Sequence, residues 1–117
     1  MKTFAITTIA VSAIIASSAM AQEAPAVKKC VTCHTFEKGG AKKIGPNLFG
    51  VYGQAATVPD LAGKGVVWDE PTLMSYLENP SAFLSAKTGG AAKSKMALLL
   101  KDEAERKAAI DFLKTLK

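Results

Sequence analysis

Residues 30–34, Cys-Val-Thr-Cys-His, hold both cysteines and the only histidine of the 117-residue chain, and they set what the rest can fold around. Two cysteines two residues apart and followed at once by histidine form the attachment signature of a c-type haem. The spacing has a physical basis. One turn of helix brings the Cys30 and Cys33 sulfurs to the same macrocycle edge, where each thiol adds across a vinyl group, and His34 then points at the iron. Other chemistries fit less well. Zinc needs four ligands, and beyond Cys30, Cys33 and His34 only a carboxylate remains to complete the set. A thioredoxin-like motif belongs beside a βαβ pattern, which this chain lacks. A disulfide leaves the adjacent histidine unexplained.

The N-terminus shapes the context. Met1 and Lys2 give a positive start, residues 4–16 are apolar, and Ala19-Met20-Ala21 is a small-x-small cleavage site, the pattern of a secretory signal peptide over residues 1–21. Its apolar run of 13 residues is short for a membrane span, which takes roughly 20. Cleavage after Ala21 leaves one domain, residues 22–117, with a formal charge of +4 in place of the full chain's +5, before two haem propionates are counted. A domain this small buries only about 60–70% of its unfolded surface, and a haem at its centre would supply much of the missing core. Export, together with thiols reserved for thioether chemistry, points to a bacterial periplasm.

The remaining pattern is helical. A short helix is expected from Ala24, with Pro25 tolerated in its first turn, running through the Cys-x-x-Cys-His motif and stopping near Gly39-Gly40. Residues 41–65 read as a glycine-rich loop. Trp68-Asp69-Glu70-Pro71 is a helix start with Asp69 as N-cap, and Asn79-Pro80 ends that helix. A further short helix is placed around Phe83 and Leu84, followed by an open loop. Asp102 caps the last helix, with Glu105 as a box-like partner, and Ala109, Ile110, Phe112, Leu113 and Leu116 form its buried stripe. No alternating strand pattern, internal repeat or nucleotide-type glycine motif is present, so the fold class is all-α.

Cys30-Val31-Thr32-Cys33-His34-Thr35, Glu37-Lys38-Gly39-Gly40, Gly45-Pro46-Asn47-Leu48, Gly65-Val66-Val67-Trp68, residues 72–80 and Lys95-Met96 occur in an order and spacing that carry a resemblance. Over nearly all of residues 22–117 the chain is similar to the class I c-type cytochromes, the mitochondrial and soluble purple-bacterial type. The resemblance implies a small cytochrome c fold of three to five helices wrapped around one covalently attached haem c. It makes His34 the proximal ligand, with the Pro46 carbonyl on its other ring nitrogen, an outer-shell bond that fixes the tautomer. Trp68 would direct its indole N–H to a propionate, Tyr76 would lie near the second axial ligand, and Ser94 would bond a propionate.

With no second histidine, the other axial ligand narrows to methionine, and residues 22–117 offer Met74 and Met96. Met74 lies in an apolar helical pattern with Leu73 and Leu77, where gap-filling is its usual role. Met96 follows a polar loop, and the resemblance places that loop across the distal face, which favours Met96. Departures from the family pattern are visible too. Ala26 stands where the family places a large aromatic against the last helix, so that contact should be weaker. Gln54 replaces an arginine beside a propionate, the loop from Gly53 to Gly65 is shorter than in the mitochondrial protein, and the segment between Pro80 and Met96 is longer.

Lys28, Lys29, Lys42, Lys43, Lys87, Lys93 and Lys95 fall, by the family geometry, around the exposed haem edge. A basic rim steers a protein towards acidic docking surfaces in a salt-dependent way. The expected function is a monomeric periplasmic electron carrier, not an enzyme. Its expected partners are redox proteins: membrane cytochrome complexes, oxidases, a reaction centre or periplasmic dehydrogenases. Nucleic acid and a small-molecule substrate are not expected. A dedicated haem subunit of one dehydrogenase is the first alternative. A peroxidase or gas-binding haem is the second, and the chain has no distal histidine or arginine evident for it.

Overall fold

In the computed structural model the described residues are Ala5, 25–90 and 92–117. Apart from Ala5, the expected leader and its cleavage site lie outside them. Four helices and no strand are formed among the described residues: α1 (Pro25–Val31), α2 (Glu70–Glu78), α3 (Pro80–Thr88) and α4 (Glu103–Lys114). None is long and apolar enough to cross a membrane.

Helix α1 is shorter than the sequence suggests. It stops at Val31 and does not run on to Gly39. The Cys33 and His34 amides both donate to the Cys30 carbonyl, at 3.1 and 3.0 Å, and close a final turn. The Cys33 carbonyl then accepts from Gly45 N–H at 2.8 Å. In a continuing helix that carbonyl would take the amide four residues on. A distant amide occupies it instead, and the chain leaves the helical path at the motif.

The other boundaries follow their caps. Asp69 accepts from Thr72 N–H at 3.0 Å to open α2. Hydrogen bonding from Thr72, side chain first and backbone second, holds the Asp69 carboxyl below its ordinary range. Asn79 ends α2 and, with its side chain accepting from Ala82 N–H at 3.0 Å, opens α3. One residue with extended backbone thus turns the chain between two helices, and Pro80 fits the first position because no helical partner is required of its nitrogen. Gly89, at φ 89°, closes α3 in the left-handed region that glycine enters without a Cβ penalty. Asp102 accepts from Ala104 and Glu105 N–H, at 2.7 and 3.3 Å, to open α4. The expected reciprocal box is not the use made of Glu105, whose carboxylate reaches Lys29 on α1 at 3.1 Å.

Helix α4 packs across α1 and α2, while α2 packs on α3. Leu61, Leu84, Leu100 and Ile110 are the large side chains sealed almost completely, each stabilising by roughly 1.5–3 kcal/mol relative to exposure. At the α1–α4 crossing, Ala26 and Val27 are buried. The aromatic missing at position 26 has a counterpart elsewhere: Phe36 meets Phe112 of α4 edge-on, with ring centroids 5.1 Å apart. Lys114 of α4 bonds Glu70 at the start of α2, at 3.1 Å, and this hydrogen bond raises the lysine above its ordinary value.

The expected loop at 41–65 contains no helix or strand. Its far end folds back through one antiparallel bridge, Ala55 to Val67. Trp68 N–H donates to Gln54 O, and Gly53 N–H to Trp68 O, both at 2.9 Å. These bonds set the backbone that carries Trp68 into the core.

Candidate haem site

Both cysteines are free thiols, half-buried at the end of α1. Cys30 Sγ lies 3.3 Å from the Ala26 carbonyl one turn back. Burial, and secondarily the neighbouring Cys33, push the Cys30 thiol above its ordinary value. The protonated thiol is therefore favoured there, the form that can donate to Ala26.

His34 Nδ1 is 2.7 Å from the Pro46 carbonyl, twelve residues downstream. With that nitrogen carrying the donated proton, Nε2 keeps its lone pair for a metal. Gly45 is what allows the approach. A Cβ built on Gly45 would collide with His34 Cε1 and would stand 2.8 Å from Nδ1 and 2.9 Å from Nε2. The ring therefore lies flat against backbone that only glycine leaves open. Around it, Asn47 Nδ2 donates to Thr35 Oγ1 and to Glu37 O, both at 2.9 Å. Thr35 Oγ1 donates to Ala41 O at 2.8 Å, and Leu48 N–H to Thr35 O at 2.9 Å. A Cβ on Gly40 would fall 2.6 Å from Asn47 Nδ2, so this knot is also closed by a missing side chain.

Just before α2, on α2 and on α3, aromatic residues form one cluster. Trp68 and Tyr76 pack at 4.9 Å between centroids, and Tyr76 and Phe83 at 5.6 Å. Tyr76 Oη lies 3.4 Å from Ser94 Oγ, which in turn accepts from Met96 N–H at 3.0 Å. Residues 92–100 run as a strap over α3 and α2, and their exposure alternates. Ser94, Met96 and Leu98 are half-buried and Leu100 is sealed, whereas Lys93, Lys95, Ala97 and Leu99 face out. That alternation, missed in reading the segment as a polar loop, turns Met96 inward with the apolar set. Met74 is also half-buried against the core.

Three side chains not singled out in the sequence hold the strap. Ser81 Oγ accepts from Ser94 N–H at 3.0 Å, and Ser85 Oγ donates to Ala92 O at 2.9 Å. Arg106 Nη1 donates to Leu100 O and Lys101 O, at 2.8 and 3.0 Å. The hydroxyls give no sequence signal because their partners are backbone groups some seven to thirteen residues away.

Three of the seven lysines assigned to the basic rim have partners in the chain: Lys29 on Glu105, Lys43 Nζ donating to Val31 O at 2.8 Å, and Lys87 over the Phe83 ring at 5.4 Å. Lys28, Lys42, Lys93 and Lys95 are exposed.

The donor set suits a haem of the c type. Two unpaired thiols flank a turn, the imidazole's Nδ1 is engaged by a carbonyl, and two half-buried methionines pack against the core, the soft and borderline donors that haem iron takes. Among the described residues no group of three or more His, Cys, Asp and Glu side chains converges as a metal site would need. A small all-α chain presenting these groups defines a c-type haem protein of the class I kind.

The cytochrome c family model matches residues 19–117. Cytochrome c2 of Rhodospirillum rubrum is 45% identical over 101 residues, covering 77% of this chain and 90% of that protein. Cytochrome c-550 of Novispirillum itersonii is 44% identical over 108 residues, covering 83% and 97%. Among solved structures, cytochrome c2 from Rhodospirillum centenum superposes with a TM-score of 0.71 at 28% identity, covering 86% of this chain and 98% of that one. The chain belongs to the cytochrome c family, whose cofactor is one covalently attached haem c.

Proposed function

We propose that the chain is a periplasmic carrier that passes single electrons between redox proteins through a haem c held by Cys30, Cys33, His34 and Met96. The haem supplies the one-electron couple; the chain attaches, orients and shields it. Cys30 and Cys33 would hold the haem through thioether bonds, each thiol adding its S–H across one vinyl double bond, the sulfur taking one carbon and the hydrogen the other. Pro46 keeps the His34 proton on Nδ1 and the ring in one orientation. Trp68 and Ser94 would supply polar hydrogens to the propionates, Tyr76, bonded to Ser94, would lie near the second axial ligand, and the strap would present the Met96 thioether to the iron. As an iron ligand together with His34, the neutral Met96 thioether would raise the potential and would leave no position for a peroxide or gas ligand.

The observation that carries this reading is the 2.7 Å contact of His34 Nδ1 with the Pro46 carbonyl, directly beside two free thiols. Lys28, Lys42, Lys93 and Lys95, exposed and, among the described residues, without internal partners such as those of Lys29, Lys43 and Lys87, are the steering charges for an acidic partner. Two measurements test the proposal. Acid-acetone extraction of the purified protein should leave the haem on the polypeptide, and the reduced protein should not bind carbon monoxide readily. Extractable haem refutes thioether attachment. A high-spin iron that takes up carbon monoxide at once replaces the carrier with a ligand-binding or enzymatic protein.

A further inference from the structure

The strap that carries Met96 is fastened at both ends by groups that make no use of its sulfur. At its front, Ser81 and Ser85, four residues apart and so on one face of α3, take opposite roles. Ser81 Oγ accepts from Ser94 N–H at 3.0 Å, and Ser85 Oγ donates to Ala92 O at 2.9 Å. At its rear, Leu100 N–H donates to Leu77 O at 2.9 Å, and Arg106 Nη1 spans the Leu100 and Lys101 carbonyls. Arg106 is 8% exposed, and its Nε, sealed from solvent, has no hydrogen-bond partner. A buried guanidinium with an unsatisfied nitrogen is costly, and its Nη1 bonds are directed entirely at the strap's end. Between these points, Ser94 Oγ accepts from Met96 N–H itself.

We infer that Ser81, Ser85 and Arg106 are positioning residues that clasp the 92–100 strap to α3 and α4, and so set how readily Met96 gives up its place to an incoming ligand. The inference rests on the assignment of Met96 as an axial ligand. An exogenous ligand reaches the iron only in the fraction of molecules whose strap has moved, so its apparent affinity is the intrinsic one scaled by that fraction. Every bond that holds the strap down lowers the fraction. The clasp sits on α3 and α4, whereas His34 is held by backbone at Gly45 and Pro46, so it can be loosened without touching the proximal side.

The test uses the haem-loaded ferric protein, with imidazole as the probe. Ser81→Ala and Ser85→Ala should each raise the apparent imidazole affinity by about 2- to 10-fold, the ratio that one hydrogen bond of ordinary net strength represents. Ser81→Thr and Ser85→Thr, which restore the hydroxyl, should return it towards wild type. Arg106→Met should act in the same direction. Amide hydrogen exchange at Ser94 and Met96 should quicken in all three clasp variants. Ile110→Val, a core truncation on α4 that removes no strap hydrogen bond, sets the baseline for general destabilisation and should leave the imidazole affinity unchanged. Serine variants with wild-type affinity and exchange, or an effect matched by Ile110→Val, overturn the clasp. A separate outcome bears on the ligand assignment. If the wild-type sulfur-to-iron charge-transfer band is absent, or survives Met96→Ala, Met96 is not the ligand, and the premise falls whatever the serines do.

Discussion

At the scale of single residues, contact with backbone decides which substitutions are tolerated. Gly45→Ala drives a methyl group into the His34 ring, which the Pro46 carbonyl holds from the other side. We expect it to cost about 1–3 kcal/mol, the usual range for overpacking, as a lower denaturation midpoint in guanidinium. Met96→Ala should abolish the sulfur-to-iron charge-transfer band, lower the potential and admit exogenous ligands. Met74→Leu conserves volume and should cost less than about 1.5 kcal/mol with the band intact. Spectra and redox titration of the two variants distinguish them, and the reverse pattern would move the ligand role to Met74. The motif cysteines and histidine were legible in the sequence because their chemistry depends on spacing alone. Ser81, Ser85 and Arg106 were not, since each bonds a carbonyl or amide that any residue type would present.

At the scale of elements, capping chemistry was the readable part. Asp69, Asn79-Pro80 and Asp102 stand where α2, α3 and α4 begin or end, because an acceptor side chain before an orphan amide works through local geometry. The end of α1 was not readable, since it is decided by Gly45 N–H, twelve residues away from the carbonyl it takes. Asp102→Ala removes the acceptor for two amides and should cost about 0.5–2 kcal/mol of stability by denaturant titration. Asp69 yields a prediction about pH. Its folded-state carboxyl is held below the ordinary range, so the unfolded chain binds that proton first as the pH falls. The stability it contributes is present above the ordinary carboxylate range and is lost on acidification through it, below about pH 4. Asp69→Asn keeps an N-cap acceptor without the charge, and should flatten the fall of Tm with pH in that window.

At the scale of the whole molecule, the surface divides its lysines between internal and external tasks. Reversing Lys42 or Lys93 should slow reduction by an acidic redox partner most at low ionic strength, since screening shortens to about 8 Å at physiological salt. Lys29→Glu should also loosen α1 from α4 by breaking its pair with Glu105. Stopped-flow rates across a salt series check the first, and rates indifferent to both salt and substitution would dismiss steering. The crossing of α1 and α4 also bears on how α1 is kept helical. A seven-residue helix is far below the length at which one persists unaided in water, and the faces of Ala26 and Val27 are covered only when Glu103–Lys114 arrives, with Gly50 N–H closing onto Leu116 O at 2.8 Å. The seven residues that carry the first thiol therefore depend on the far end of the chain for their helical form. The C-terminal residues thus act as a latch on the segment that bears Cys30.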